Sequence, residues 1–325
     1  MAEQDSGKRP HRILSLDGGG SKGFYSLGVL KGIEQLVGCL LYQKFDLIFG
    51  TSTGAIIGSL LALGKTVDEI TLLYKEHVPS IMGKKRPSQK SAALKHLADL
   101  TFQEIKFDQM KTCVGIVATR LREERPMIFK SRIEQAMGRE ASFSPGFGVS
   151  VSDAVQASCS AIPFFNRKIV QTDTGDQVEL VDGGYCANNP TLYAITEAVK
   201  AFNIAPKAAR VVSVGVGSYP PPYQSLLSGA RWIDMLPCCR LSKKIFDINT
   251  QAMEQFQQII FDDVPNVRIS NTYEKPEMAT DLFETNERML NILRQCGADS
   301  FGIYEKNWFN YLIAKIKTWR FRKFN

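Results

Sequence analysis

Residues 45–64 read FDLIFGTSTGAIIGSLLALG. The first five form a short apolar strand, residues 55–63 form a helix apolar on every side, and GTSTG (50–54) joins them. An all-apolar helix directly behind a strand is a buried, central one. A strand, a sharp turn with Ser at its apex and a helix are the context that a nucleophile elbow requires. The turn pushes Ser52 out of the sheet edge, while Gly50 and Gly54 let chain and helix pass without a Cβ clash. The helix N-terminus faces Ser52 and favours a developing alkoxide. Ser52 is therefore a candidate nucleophile; the competing reading is a Gly-rich turn that merely caps the helix.

Upstream, residues 12–16 (RILSL) read as a buried strand, followed by DGGGSKG (17–23) and a helix with Leu27, Leu30, Ile33 and Val37 on one side. Without Cβ atoms, Gly18, Gly19 and Gly20 can gather their N–H groups into one concavity suited to an oxyanion. Gly19 and Gly20 are the best donor candidates, and Lys22 adds positive charge for an anionic intermediate or a phosphate head group. A nucleotide cradle competes for the same loop. Residues 18–23 have the outer spacing of a P-loop, but Phe24 and Tyr25 stand where Lys and Ser/Thr are needed.

Downstream, helices cover roughly residues 67–109, interrupted by GKKRPSQK (83–90), which reads as an exposed basic loop. Strands are expected at 112–118, 178–181, 210–216 and 267–270, and a helix at 151–160. Asn189 and Pro190 read as N-cap and first residue of another helix. Alternating strands and helices mark a mainly parallel sheet covered on both faces. No repeat or long linker divides the 325 residues, so a single domain is expected: a motif core over about 12–217 and a mainly helical part, 218–325.

A Ser hydrolase normally places a His between Ser and acid. The chain has three His; His11 lies before the first strand, while His77 and His96 lie in helical, exposed surroundings. Asp182 ends a strand and is bared by Gly183 and Gly184. A partly buried carboxylate there could take the Ser52 proton directly; the competing reading is an ordinary Asp-Gly turn.

The net charge of +7 suits an anionic partner, though no Arg/Lys run interleaved with aromatics points to a nucleic-acid polymer. Seven Cys without a C-x-x-C pair fit a reducing cytosol and give no zinc site. The run from 54 to 64 is too short to cross a bilayer. Residues 304–325 mix aromatics with Lys and Arg and fit either a membrane interface or a docked terminal helix.

DGGGSKG, GTSTG some thirty residues later, QASCSAIPFF (156–165) and then DGG (182–184) resemble, in that order, the patatin-like phospholipases over about residues 12–217. The resemblance implies a three-layer α/β/α fold and a Ser52–Asp182 dyad, with Gly18, Gly19 and Gly20 around the oxyanion hole. It implies no metal or catalytic cofactor. Lys22 stands where Arg is commoner in the family. The wording of residues 45–64, VDEI (67–70) and YKEHVPSIM (74–82) is similar to the bacterial CapV-type effectors of anti-phage signalling. That likeness implies a phospholipase switched on by a cyclic dinucleotide, cGAMP-like, acting from the cytoplasm on the inner face of the cell membrane, with homo-oligomerisation on activation a further possibility. It assigns no activator residues. A non-lipid esterase or acyltransferase on the same dyad, and a catalytically silent nucleotide-binding module, are the competing functions.

Overall fold

The computed structural model describes residues 9–222 and 237–308. Five strands run parallel: β7 (Ala209–Val214) lies between β1 (His11–Leu16) and β8 (Asn266–Ile269), and β2 (Leu47–Thr51) lies between β1 and β3 (Cys113–Arg120). β4 (Arg125–Lys130), β5 (Lys168–Gln171) and β6 (Gln177–Asp182) add antiparallel pairings beyond them. The sheet is thus mainly parallel, but mixed. The sequence reading had no β4 or β5, both of which carry exposed residues and lack a continuous apolar run.

Side chains alternate across the strands and so feed two cores. Leu14, Leu16, Ile48, Val114, Ile116 and Val212 face a large core with α1 (Gly23–Val37), α3 (Thr53–Ala62), α4 (Val67–Met82), α5 (Pro87–Phe102), α6 (Val151–Ser158) and α10 (Glu287–Trp308). Ile13, Leu47, Phe49, Val117 and Val211 face a smaller one with α8 (Thr191–Lys200), against which Met253 of α9 (Pro237–Ile260) packs. The short α2 (Leu41–Lys44) leads into β2, and α7 (Gly184–Ala187) follows β6.

Three local expectations are corrected. The basic stretch 83–90 is a loop only to Arg86; Pro87 opens α5, where Pro is tolerated because the first-turn N–H groups lack helical acceptors. Lys90 is buried, with its ammonium on Met82 O and over the Phe283 ring. The α8 cap shifts by one residue: Pro190 holds the N-cap position, and Asn189 Oδ1 accepts the Thr191 N–H at 3.0 Å. His11 opens β1, half-buried against Phe202, and His77 is likewise half-buried. Most of the basic aromatic segment, residues 309–325, lies outside the described residues.

The end of β1 is pinned from a distance. Asp17, 2% exposed, accepts two hydrogen bonds from Arg268 of β8, at 2.8 and 2.5 Å. Burial pushes the Asp17 carboxyl above its ordinary range even against this guanidinium. Breaking such a pair strands a buried charge, so Arg268→Ala is expected to cost about 3–5 kcal/mol. Urea unfolding of the variant checks this, and adding Asp17→Asn should return part of the loss.

Candidate active site

Two strand ends meet head-on. β4 occupies one edge of β3 from Gly115 to Arg120. On the other edge β2 runs parallel and stops at Thr51, opposite Val117. β6 arrives antiparallel along that same edge and stops at Asp182, opposite the next residue, Ala118. Ser52, the residue after Thr51, and Asp182 are therefore delivered to one point of the sheet from opposite directions.

Ser52 has φ 53° and ψ −121°, a left-handed conformation that a non-glycine residue adopts only under constraint. The constraint is close packing. A Cβ on Gly50 would overlap the Gly54 carbonyl, and one on Gly54 would overlap the Leu16 carbonyl, so α3 crosses β1 and β2 at backbone contact. A Cβ on Gly183 would overlap Val117 O, and one on Gly184 would sit 2.8 Å from Phe246 and 3.0 Å from Asp182 Oδ1.

The Ser52 hydroxyl lies beside the Asp182 carboxylate and favours its ionised form. Asp182 is 3% exposed and accepts the Gly184 N–H at 2.7 Å. Burial pushes its pKa up to about 7, against the pull of these two groups. A carboxylate poised near neutrality is a competent general base. His11 packs against Phe202 and His77 lies beside Glu76, and no His contributes to the electrostatic surroundings of Asp182.

The Gly-rich loop lies beside the alcohol: a Cβ on Gly18 would stand 3.2 Å from Ser52 Cβ. The Gly18 N–H is already committed to Asn188 O at 3.0 Å. The N–H groups of Gly19 and Gly20 have no protein acceptor among the described residues, and neither do those of Thr53 and Gly54 at the start of α3. Gly20, at φ 55°, is held where Leu282 O leaves no room for a side chain. Lys22 is half-buried with no ion pair among the described residues. Burial lowers its pKa, and Asp247, Asp281 and Asp17 partly counter that.

Sequence reasoning missed three neighbours. Asn188 clamps Gly18 from both sides, its carbonyl taking the Gly18 N–H and its Nδ2 donating to Gly18 O at 3.3 Å. Cys159 is buried beside Ser52 and Asp182, and that burial holds its thiol well above the ordinary range, hence neutral. Ser158 accepts the Ser52 backbone N–H at 2.8 Å. Ser158 and Cys159 lie in the QASCSAIPFF block, which was noted in the sequence without roles for its side chains. Among the described residues no group of His, Cys, Asp and Glu could hold a metal, and no helix is long and apolar enough to cross a membrane.

Comparison with known proteins identifies the family and fold. The profile of a family described as patatin-like phospholipase matches residues 14–195. A cUMP-AMP-activated phospholipase of Escherichia coli is 55% identical over 304 residues, covering 93% of this chain and 94% of that protein. A cGAMP-activated phospholipase of Pseudomonas aeruginosa is 29% identical over 219 residues, covering 63% of this chain and 62% of that protein. The crystal structure of VipD from Legionella pneumophila shares the fold, with a TM-score of 0.52 at 11% identity over 92% of this chain and 67% of that one.

Proposed function

The chain belongs to the patatin-like phospholipase family, and from that premise we propose that it hydrolyses acyl esters of membrane glycerophospholipids through Ser52 and Asp182 once a cyclic dinucleotide has switched it on. The delivery of a strained Ser52 and a buried Asp182 to neighbouring positions on β3, with no imidazole acting on that carboxylate, carries this reading.

Ser52 Oγ attacks the ester carbonyl as its proton passes to Asp182. The carbonyl oxygen becomes an oxyanion, met by the unpaired N–H groups of Gly19 and Gly20, with Gly18 lining the hole. Collapse of this intermediate expels the lysophospholipid alkoxide, which takes the proton from Asp182 and leaves an acyl-Ser52. Water then gives its proton to Asp182 and attacks the acyl carbonyl. The second collapse returns that proton to Ser52 and releases the fatty acid. Lys22 offers its charge to the phosphate. Apolar side chains of Ile56, Leu60, Leu73, Tyr74, Leu94 and Val155 line a small cavity beside α3, which an acyl chain would have to widen to enter.

The 55% identity to a cUMP-AMP-activated relative favours cUMP-AMP over the cGAMP-like ligand expected from sequence. The phospholipid substrate implies action at a membrane surface, in defence against phage by the same likeness. The test is fatty-acid release from phosphatidylethanolamine/phosphatidylglycerol vesicles with cUMP-AMP, with cGAMP or with neither. Release with cUMP-AMP should exceed the other arms by about tenfold or more. Equal release in all arms would remove the activator from the proposal. Hydrolysis of short soluble esters but never of vesicles would favour the non-lipid esterase. Failure of a fluorophosphonate probe to label Ser52 would favour a silent nucleotide-binding module.

A further inference from the structure

The head-on meeting of β2 and β6 leaves a gap in the ladder along β3. Where the strands stop, the Ser52 N–H has no strand partner and the Val117 carbonyl faces the space between the two ends. Both are backbone groups in a closely packed interior, where an unpaired donor or acceptor is costly. One side chain satisfies both. Ser158, fully buried at the C-terminal end of α6, donates its hydroxyl proton to Val117 O at 2.6 Å and accepts the Ser52 N–H at 2.8 Å.

The backbone around Ser158 holds the other partner. Its carbonyl accepts the Gly183 N–H at 3.3 Å, and the Ser160 carbonyl accepts the Asp182 N–H at 3.1 Å. The end of α6 and the residues just after it therefore hold the strained alcohol residue through a side chain, and the carboxylate residue and the glycine that follows it through one carbonyl each. The Ser158 hydroxyl touches no reacting atom.

We propose that Ser158 is a positioning residue whose hydroxyl plugs the gap between the two strand ends and holds Ser52 in its strained conformation, aligned on Asp182. Without it, the Ser52 amide must seek another acceptor. Any rotation that finds one relaxes φ and swings Oγ away from the carboxylate. Displacement of a nucleophile by about 1 Å can cost about 10²-fold in rate. This inference rests on the Ser52–Asp182 reading.

The test compares Ser158→Ala, Ser158→Thr and the core control Ile33→Ala, in the C-terminal half of α1, with the parent. Readouts are kcat and KM on a soluble p-nitrophenyl ester, the rate of fluorophosphonate labelling, and thermal unfolding, all in the presence of cUMP-AMP. Ser158→Ala should lose kcat and labelling rate by about 10²-fold with KM unchanged. Ser158→Thr, which keeps the hydroxyl, should recover most of that rate, and Ile33→Ala should lower the unfolding temperature with kcat intact. If Ser158→Ala does not fold, Ser158→Cys, close in size but a weak donor and acceptor, should fall between Ala and the parent. A folded Ser158→Ala or Ser158→Cys with kcat within about twofold of the parent would overturn the proposal, as would a drop in kcat that Ser158→Thr fails to restore. Ser52→Ala separates the two ideas: if it is inactive while Ser158→Ala is fully active, only the positioning role falls, and if it is fully active the dyad itself falls.

Discussion

Asp182→Asn is expected to lower fatty-acid release by about 10³-fold while raising the temperature of unfolding at pH 8. Both effects come from the same burial. The amide keeps Oδ1 for the Gly184 N–H but cannot take a proton from Ser52. In the parent, Asp182 is needed ionised, and its pKa stands at about 7. The rate should therefore climb about tenfold per pH unit below 7 and level off above it. The stability effect has the opposite sign. The folded pKa is raised from the ordinary 3.8, so the folded state binds the proton more tightly than the unfolded chain. The resulting stability is whole below about pH 4 and is lost as pH rises through about 7, on the order of 4 kcal/mol at most. Asn, which never ionises, escapes that loss. Melting curves of both proteins from pH 5 to 9 should converge at acid pH and separate at alkaline pH. An unchanged pH–rate profile in the variant, or a lower melting point at pH 8, would show that Asp182 is not the buried base.

Ser52→Ala is expected to reduce release by at least about 10⁴-fold, since removing a nucleophile removes the acyl-enzyme route altogether. Fluorophosphonate labelling should vanish with it. The backbone supplies a sharper check. At φ 53° any side chain is strained, by about 1–2 kcal/mol relative to glycine. Ser52→Gly should thus be as inactive as Ser52→Ala yet more resistant to urea, showing that the fold maintains this conformation for the hydroxyl it presents. Retention of more than about a tenth of the activity in either variant would place the nucleophile elsewhere.

The parts of the site that could be read along the chain are those in which function and local conformation coincide. GTSTG between an apolar strand and an apolar helix can hardly pack except as a turn with Ser at its apex, and the glycines are needed because α3 crosses β1 at backbone contact. DGGGSKG was legible for a similar reason, since three glycines after a strand serve close backbone approach. The edge strands β4 and β5 were not, because half-exposed antiparallel strands lack the continuous apolar runs that betray β1, β2 and β7. Lys90 looked like one charge in a basic loop, and only the arrival of Phe283 and the Met82 carbonyl makes it a buried residue.

The amino-acid order alone therefore settled the strand–elbow–helix unit and the mainly parallel α/β class and marked Ser52 and Asp182 as candidates, because each depends on residues within a few positions of one another. That Ser52 and Asp182, 130 residues apart, are delivered to one place was decided by β2 and β6 ending against consecutive residues of β3. The same junction creates the orphaned amide and carbonyl that Ser158 fills. A backbone group's need for a partner is visible only when the strand that should have continued is seen to stop.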